Sequence, residues 1–433
     1  MAQDFKPASL SGSEGLKPRL ETQPTMVRAA VSPKRSRAKS PETPSKRPRD
    51  DEVEFTREAV EPRRQLLADL RRWEALGDHR TGGAGDRATA AWLVDELAEA
   101  SLAASVDEFP FPRRTPGVCS VSDGVKKVAG VAYADGGATD LRGVAAPASL
   151  AAAPGAGGVG VLWGSPVEED NDAVDAARDA GTFDALVVAT RGGLRLRDAE
   201  AYAEPYGPPV VQVDARESAW LFATAKAGMR LEVRATVRRD ASFTSNVVAT
   251  VPGADAGLAP VVVACERTAW RAATGEAGGA VALWLACARF LATARPRRTV
   301  EFVAAAGREV GHPGLARRLD ARDAAAAHCW VLIGADVAAK GAGVVWQAST
   351  RKRRDAGLRA LRALGQRDAA APAEPRGEAA AFVDDGASFV ALSGAANGEL
   401  HGEGDTLARN VDEAKLARLH TMLLTTLLGL AEE

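Results

Sequence analysis

Polar residues that interrupt apolar runs are where this chain could do chemistry. Val261-Val262-Val263-Ala264-Cys265 ends abruptly in Glu266-Arg267-Thr268, and a Gly-rich turn with Gly275, Glu276, Gly278 and Gly279 follows. Val300–Ala306 ends in Gly307-Arg308-Glu309, and Trp330-Val331-Leu332-Ile333 ends near Asp336. Carboxylates are the residue types of proton transfer and metal binding, whereas an arginine supplies charge and accepts no proton. Three successive apolar strands that release polar residues at their C-terminal tips have the layout of an active site, because α/β sheets place ligands at that edge.

The elements that would carry these tips alternate strand and helix. A strand is expected at 245–253, another at 261–265, a helix at 277–293, strands at 299–306 and 329–336, a strand at 343–348 and a helix at 351–364. A last strand lies near 382–392, and a closing amphipathic helix spans 411–430. This pattern predicts a three-layer α/β/α sandwich with a mixed central sheet. Ahead of it, residues 56–76 and 88–97 read as helices around a turn-forming Asp78-His79-Arg80-Thr81-Gly82-Gly83, with His79 expected as a surface or capping residue. A strand at 104–111 is expected to stop at Pro110, Pro112 and Pro116.

From Cys119 to Val237, short apolar runs alternate with Gly/Ala/Asp loops, which predicts an inserted, mostly β module. The expected organisation is a tail over 1–55, the first part of the main domain over 56–116, the insertion over 117–240 and the rest of the main domain over 241–433.

The chain of 433 residues is too long for one ordinary core. Its 55 Lys+Arg and 57 Asp+Glu leave a net charge of −2, which argues against a general nucleic-acid binder. The basic run Arg351-Lys352-Arg353-Arg354 reads as a solvated helix face. Cys119, Cys265, Cys287 and Cys329 are spaced too widely for a zinc knuckle or a CxxC pair, and Cys265, Cys287 and Cys329, which lie in apolar runs, read as buried free thiols. No apolar run reads as a membrane span and the N-terminus lacks the apolar core of a signal peptide. The Ser/Pro/Lys/Arg-rich tail is expected to be disordered. Its basic pairs, Lys34-Arg35 and Lys46-Arg47-Pro48-Arg49, resemble a bipartite nuclear-import signal, with a solvated linker as the other reading. Ser32, Ser40 and Thr43 precede prolines, as proline-directed phosphorylation requires. An intracellular, nuclear location is the expectation.

Several segments occur in an order that resembles the zinc aminopeptidases of metallopeptidase family 28, in the form that carries an inserted protease-associated (PA) domain. They are Arg80-Thr81-Gly82-Gly83, Ser245-Asn246-Val247-Val248-Ala249-Thr250-Val251-Pro252-Gly253, Thr299–Gly311, and His401-Gly402-Glu403-Gly404-Asp405-Thr406-Leu407 with Asn410-Val411-Asp412. The resemblance covers about 56–433. It implies two zinc ions bridged by an aspartate and a glutamate base that takes a proton from metal-bound water.

Matched residue by residue, much of that machinery is missing. Glu266 stands where the resemblance implies a histidine ligand, Thr268 where it implies an aspartate, and Gly275 where it implies the bridging aspartate. Ala306 replaces another aspartate and Arg308 replaces the base. Glu309, Asp336 and His401 are retained, with Glu276 beside the lost bridge.

The expectation is a pseudoenzyme with no catalytic residues, no cofactor and a protein partner. Glu309, Asp336, His401, Glu266 and Glu276 are its vestigial metal ligands, and Arg308 is expected to pair with Glu266, Asp336 or Glu309. Transferrin-receptor and nicastrin-type ectodomains are precedents that the resemblance supplies. The alternative is a rearranged metal-dependent aminopeptidase or single-zinc glutaminyl-cyclase-like enzyme, with Glu276, Glu309 and His401, or Glu309, Asp336 and His401, holding zinc. His312, His328 and His420 fall outside the motif positions and read as packing or surface residues.

Overall fold

The computed structural model describes residues 50–153, 155–165, 171–321, 324–395 and 401–433. The paired basic runs of the tail and its Ser-Pro and Thr-Pro sites lie outside them. Residues Val53–Glu433 form one compact unit.

Helices α1 (Asp50–Leu76) and α2 (Ala84–Glu99) lead into strand β1 (Ala104–Ser122). Next come β2 (Lys127–Ala129), β3 (Val131–Ala132), β4 (Val144–Leu150), β5 (Gly158–Gly164), α3 (Asp172–Asp179), β6 (Phe183–Thr190), β7 (Val210–Asp214) and α4 (Ser218–Lys226). The chain returns along β8 (Arg230–Val251) and continues through β9 (Val261–Glu266), α5 (Gly279–Ala294), β10 (Val300–Ala305), α6 (Pro313–Ala321), β11 (Cys329–Ile333) and β12 (Val344–Ala348). It closes with α7 (Arg351–Ala363), α8 (Ala381–Asp384), β13 (Phe389–Gly394), α9 (Leu407–Asn410) and α10 (Glu413–Glu432).

The central sheet runs β12-β13-β11-β9-β10-β8. Strands β9, β10, β11 and β13 are parallel, and β8 and β12 are antiparallel to their neighbours. Successive side chains of a strand point to opposite faces. Accordingly Val261, Val263, Cys265, Phe302, Val331 and Ile333 join one core with α1, α2, α5 and α10. Val262, Ala264, Val303, Trp330 and Leu332 join a second core with α6 and α8. Both faces are covered, which is why these strands are continuously apolar. Trp284 of α5 is fully buried, sits edge-on to Phe302 and donates its indole N–H to the Val263 carbonyl at 3.1 Å. Helix Thr274–Ala294 is long and apolar enough to cross a membrane, but it is mostly buried in this core.

Strand β1 does not stop at its prolines. It pairs with β8 from Ala104↔Ala249 to Ser122↔Glu232, with a register shift between Pro116 and Cys119. Pro110 and Pro112 survive within it because β8 is the only partner of this stretch among the described residues, and a strand with one free edge needs donors on one side only. The same ribbon carries the chain out of the central sheet and back. Beyond it, β4, β5, β6 and β7 run parallel, with β3 antiparallel to β7 and helices α3 and α4 between strands. The segment carries more strand than helix, in line with the mostly β expectation. The parallel neighbours β5 and β6 need a crossover, which α3 supplies, whereas α4 leads from β7 into β8, which returns antiparallel to β4.

Candidate functional site

Because β9, β10 and β11 are parallel, their C-terminal ends share one edge. Strand β9 ends at Glu266. After β10, Gly307 turns with φ 102° into a 3₁₀ turn, Arg308–Val310. After β11, Asp336 adopts φ 58°. The turn before α5 is a π-helical one, Thr274–Gly278, of the kind that concentrates at functional sites. Asp405 holds its start: its Oδ1 accepts from Gly275 N–H at 2.7 Å and its Oδ2 from Glu276 N–H at 3.0 Å. A Cβ at Gly275 would fall 2.7 Å from both Nδ2 and O of Asn410 and 2.9 Å from Asp405 Oδ1. An aspartate at this position, where the resemblance implies the bridge, therefore needs Asn410 and Asp405 to move.

Arg308 fills the middle of this edge. One guanidinium nitrogen, Nη2, donates to Glu276 Oε1 and lies 3.2 Å from His401 Nε2. The other, Nη1, donates to Asp198 Oδ2 at 3.3 Å. His401 Nδ1 donates to the Leu196 carbonyl at 2.7 Å, which leaves Nε2 as the acceptor facing Arg308 when the ring is neutral. Burial and the nearby guanidinium both favour that neutral ring, and the pKa of His401 is lowered, chiefly by burial. His401 N–H also donates to Glu276 Oε2 at 3.0 Å. Burial opposes the charge of Arg308, but Asp198, Glu378, Asp336 and Glu266 outweigh it, and its pKa is raised. The guanidinium stays protonated and accepts no proton.

The other candidates are engaged elsewhere. Glu309 turns away from the cluster: its Oε1 accepts from Thr81 N–H and Oγ1, each at 2.7 Å, and its Oε2 accepts from Thr268 Oγ1 at 2.9 Å. Burial raises its pKa. Glu266 pairs through Oε2 with His312 Nδ1 at 2.7 Å. Burial works against the imidazolium of His312, yet the Glu266 carboxylate carries its pKa up to about 10. Asp336 donates its N–H to the Glu276 carbonyl at 2.8 Å, and burial pushes its carboxyl up to about 7 against the pull of Arg308. Glu378 is likewise pushed up to about 7, by burial and then by Glu266.

These positions correct the expected pairings. The acids bonded to Arg308 are Glu276 and Asp198, not Glu266, Asp336 or Glu309. A ligand set of Glu276, Glu309 and His401 is not assembled, because Thr81 and Thr268 take Glu309 away. His79 is buried rather than exposed, stacked on Trp73 with ring centroids 3.5 Å apart and bonded to Thr89 Oγ1 at 2.8 Å.

Sequence reasoning missed several residues. Asp198 and Leu196 belong to the inserted segment, whose 195–202 stretch reaches over the edge. Ala199 N–H donates to the Glu309 carbonyl at 2.9 Å, Trp270 donates to Arg197 O at 2.8 Å, and Ala199, Tyr202, Phe111, Trp270 and Val310 share a small apolar cluster. A loop without periodicity carries no signal for such a role. Arg267 had one, being charged next to a fully buried strand. It is itself fully buried, donating to Asp86 Oδ1 at 2.6 Å, to Asp86 O at 2.8 Å and to Ser245 O.

No protein-family profile matches the chain, and no curated protein does. Solved structures do. The zinc aminopeptidase BSAP of Bacillus subtilis aligns over 86% of this chain and 95% of its own, with TM-score 0.67 and 12% identity. An aminopeptidase from Aneurinibacillus sp. strain AM-1 aligns over 86% and 94%, with TM-score 0.65 and 14% identity. A peptidase M28 precursor from Shewanella amazonensis SB2B aligns over 87% and 96%, with TM-score 0.65 and 16% identity. The fold is that of the zinc aminopeptidases.

The residues present do not fit the zinc pair that this aminopeptidase fold implies. Among the described residues, no three His, Cys, Asp or Glu side chains are grouped as a metal site. Glu276 and His401, two of the candidate ligands, already share a buried guanidinium. A metal ion there would face the Arg308 charge at close range in a site where charges are weakly screened.

Proposed function

We propose that this chain is a degenerate member of metallopeptidase family 28, a pseudoenzyme that keeps the aminopeptidase fold for binding or assembly. The observation that carries this reading is Arg308. It stands where the resemblance implies the general base, and Glu276, Asp198 and His401 fix it there. Peptide-bond hydrolysis of the aminopeptidase kind needs an acceptor for the proton of the attacking water, and a guanidinium cannot be one.

The remaining parts belong to the same reading. Residues 117–240 act as a PA-like module whose loop at Leu196–Glu200 closes the former cleft. The protein needs no cofactor, works through protein partners, and is directed inside the cell, to the nucleus, by its basic tail. The test is hydrolysis of a panel of aminoacyl amides by the full chain, with added zinc and with a chelator. Turnover at buffer background in every condition is expected. Zinc-dependent turnover that the chelator abolishes would establish the rearranged metal enzyme instead.

A further inference from the structure

The layer formed by α1, α7 and α10 carries a surface that the cleft does not use. Two adjoining depressions, of about 440 and 500 Å³, run along the outer side of α10 and share Leu364, Thr421 and Thr425. On one side α7 offers Ala356, Gly357 and Ala360 to the groove. These small side chains and the threonine methyls let a rod-like segment approach closely. Beneath the other side, His420 is buried and its Nε2 has no partner. Such an orphan is costly unless a donor or acceptor from elsewhere reaches it.

The charge left over beside the groove is cationic, because Glu433, which lines it, is paired with Arg353 at 3.8 Å. Lys352 and Arg359 are exposed, each one position before a lining residue of α7, with Arg362 and Arg367 further along. No carboxylate among the described residues lies within salt-bridge distance of these four. By contrast, Arg63 is paired with Glu413 at 2.8 Å and Arg351 with Asp355 at 3.7 Å. The chain as a whole is at −2, so this cationic strip is local.

We propose that this groove binds an amphipathic helix of a partner protein, with small and apolar residues against α10 and acidic residues against Lys352 and Arg359. Helix-in-groove recognition needs an apolar floor and rim charges that fix orientation. A nucleic acid is the poorer fit, because the floor is largely threonine, alanine and leucine, and Trp346, which also lines it, is buried and offers no open face for stacking.

The full chain can be panned against a phage library of helical peptides, with fluorescence polarisation on the peptides recovered. The expected peptides carry an apolar stripe at i, i+3, i+4 and i+7 flanked by Asp or Glu, and Thr421→Trp, which fills the groove, weakens them at least tenfold. Arg359→Glu is expected to weaken them by about tenfold. Peptides no more acidic than the starting library, or peptides that bind the Thr421→Trp protein unimpaired, overturn the proposal. So does duplex DNA that binds the chain through Lys352 and Arg359 and displaces the peptides, or a dimer in sedimentation that Thr421→Trp dissolves. If Thr421→Trp melts below the native chain, Thr425→Glu takes its place. Amide hydrolysis is read separately: turnover would end the pseudoenzyme reading and leave the groove intact.

Discussion

Two buried arginines follow adjacent parallel strands, and they do opposite things. Arg267, after β9, is sealed in the interior and bonds to Asp86 and Ser245. Asp86 in turn accepts from Gly82 N–H at 2.7 Å and Thr244 Oγ1 at 2.7 Å, so one ion pair ties the start of α2 to β8. Arg308, after β10, bonds Glu276 and His401 of the main domain and Asp198 of the inserted segment. The first charge staples a core. The second occupies a cleft and latches a loop over it. A buried ion pair is thus no mark of function by itself; what separates the two is which parts of the chain the pair joins.

The widest separation between them should appear in stability. Arg267→Met leaves Asp86 charged, buried and without its cation, and is expected to cost about 5 kcal/mol. Arg308→Met leaves Glu276 buried but lets water reach Asp198, which is 16% exposed at its side chain, and is expected to cost about 3 kcal/mol. Urea unfolding of the two variants checks both values, and equal losses would erase the distinction.

Acid should act on the Arg267 side. His79 lies against that region, and burial, with Arg267 adding to it, lowers its pKa to about 3. A histidine depressed in the fold stabilises fully above its unfolded pKa near 6.5 and loses that contribution as pH falls toward 3. Between pH 7 and pH 5 the loss is about 2 kcal/mol. His79→Phe should flatten that stretch of the stability profile, and an unchanged profile would remove His79 as its source.

The smallest effect belongs to the latch. Asp198→Asn weakens one charge-assisted bond to Arg308 and should cost about 1 kcal/mol. It should also speed hydrogen exchange at Leu196–Tyr202 while leaving the amides of α2 protected. If exchange at Leu196–Tyr202 stays slow, the apolar contacts of Ala199 and Tyr202 hold the loop without Asp198.

Much of this was legible in the sequence. The apolar runs of β9, β10 and β11, ended by Glu266, Arg308 and Asp336, marked both the sheet and its working edge. Gly275, Thr268 and Ala306 marked the positions where the resemblance implies an aspartate. What could not be read was which partner each charge finds. Asp198 lies 110 residues before Arg308, in a loop with no periodic pattern, and only the folded ribbon of β1 and β8 brings the two together. His312 lies 46 residues after Glu266 and pairs with it because the turn after β10 folds back toward the tip of β9. The prolines of β1 misled for a different reason: their effect depends on whether a strand has one neighbour or two, which is a property of the sheet.

Bound metal tests the central claim most directly. Elemental analysis of the native full chain, with Arg308→Glu measured beside it, asks whether a guanidinium holds the place of zinc. The account predicts far less than one zinc per native chain; one zinc per native chain would contradict it.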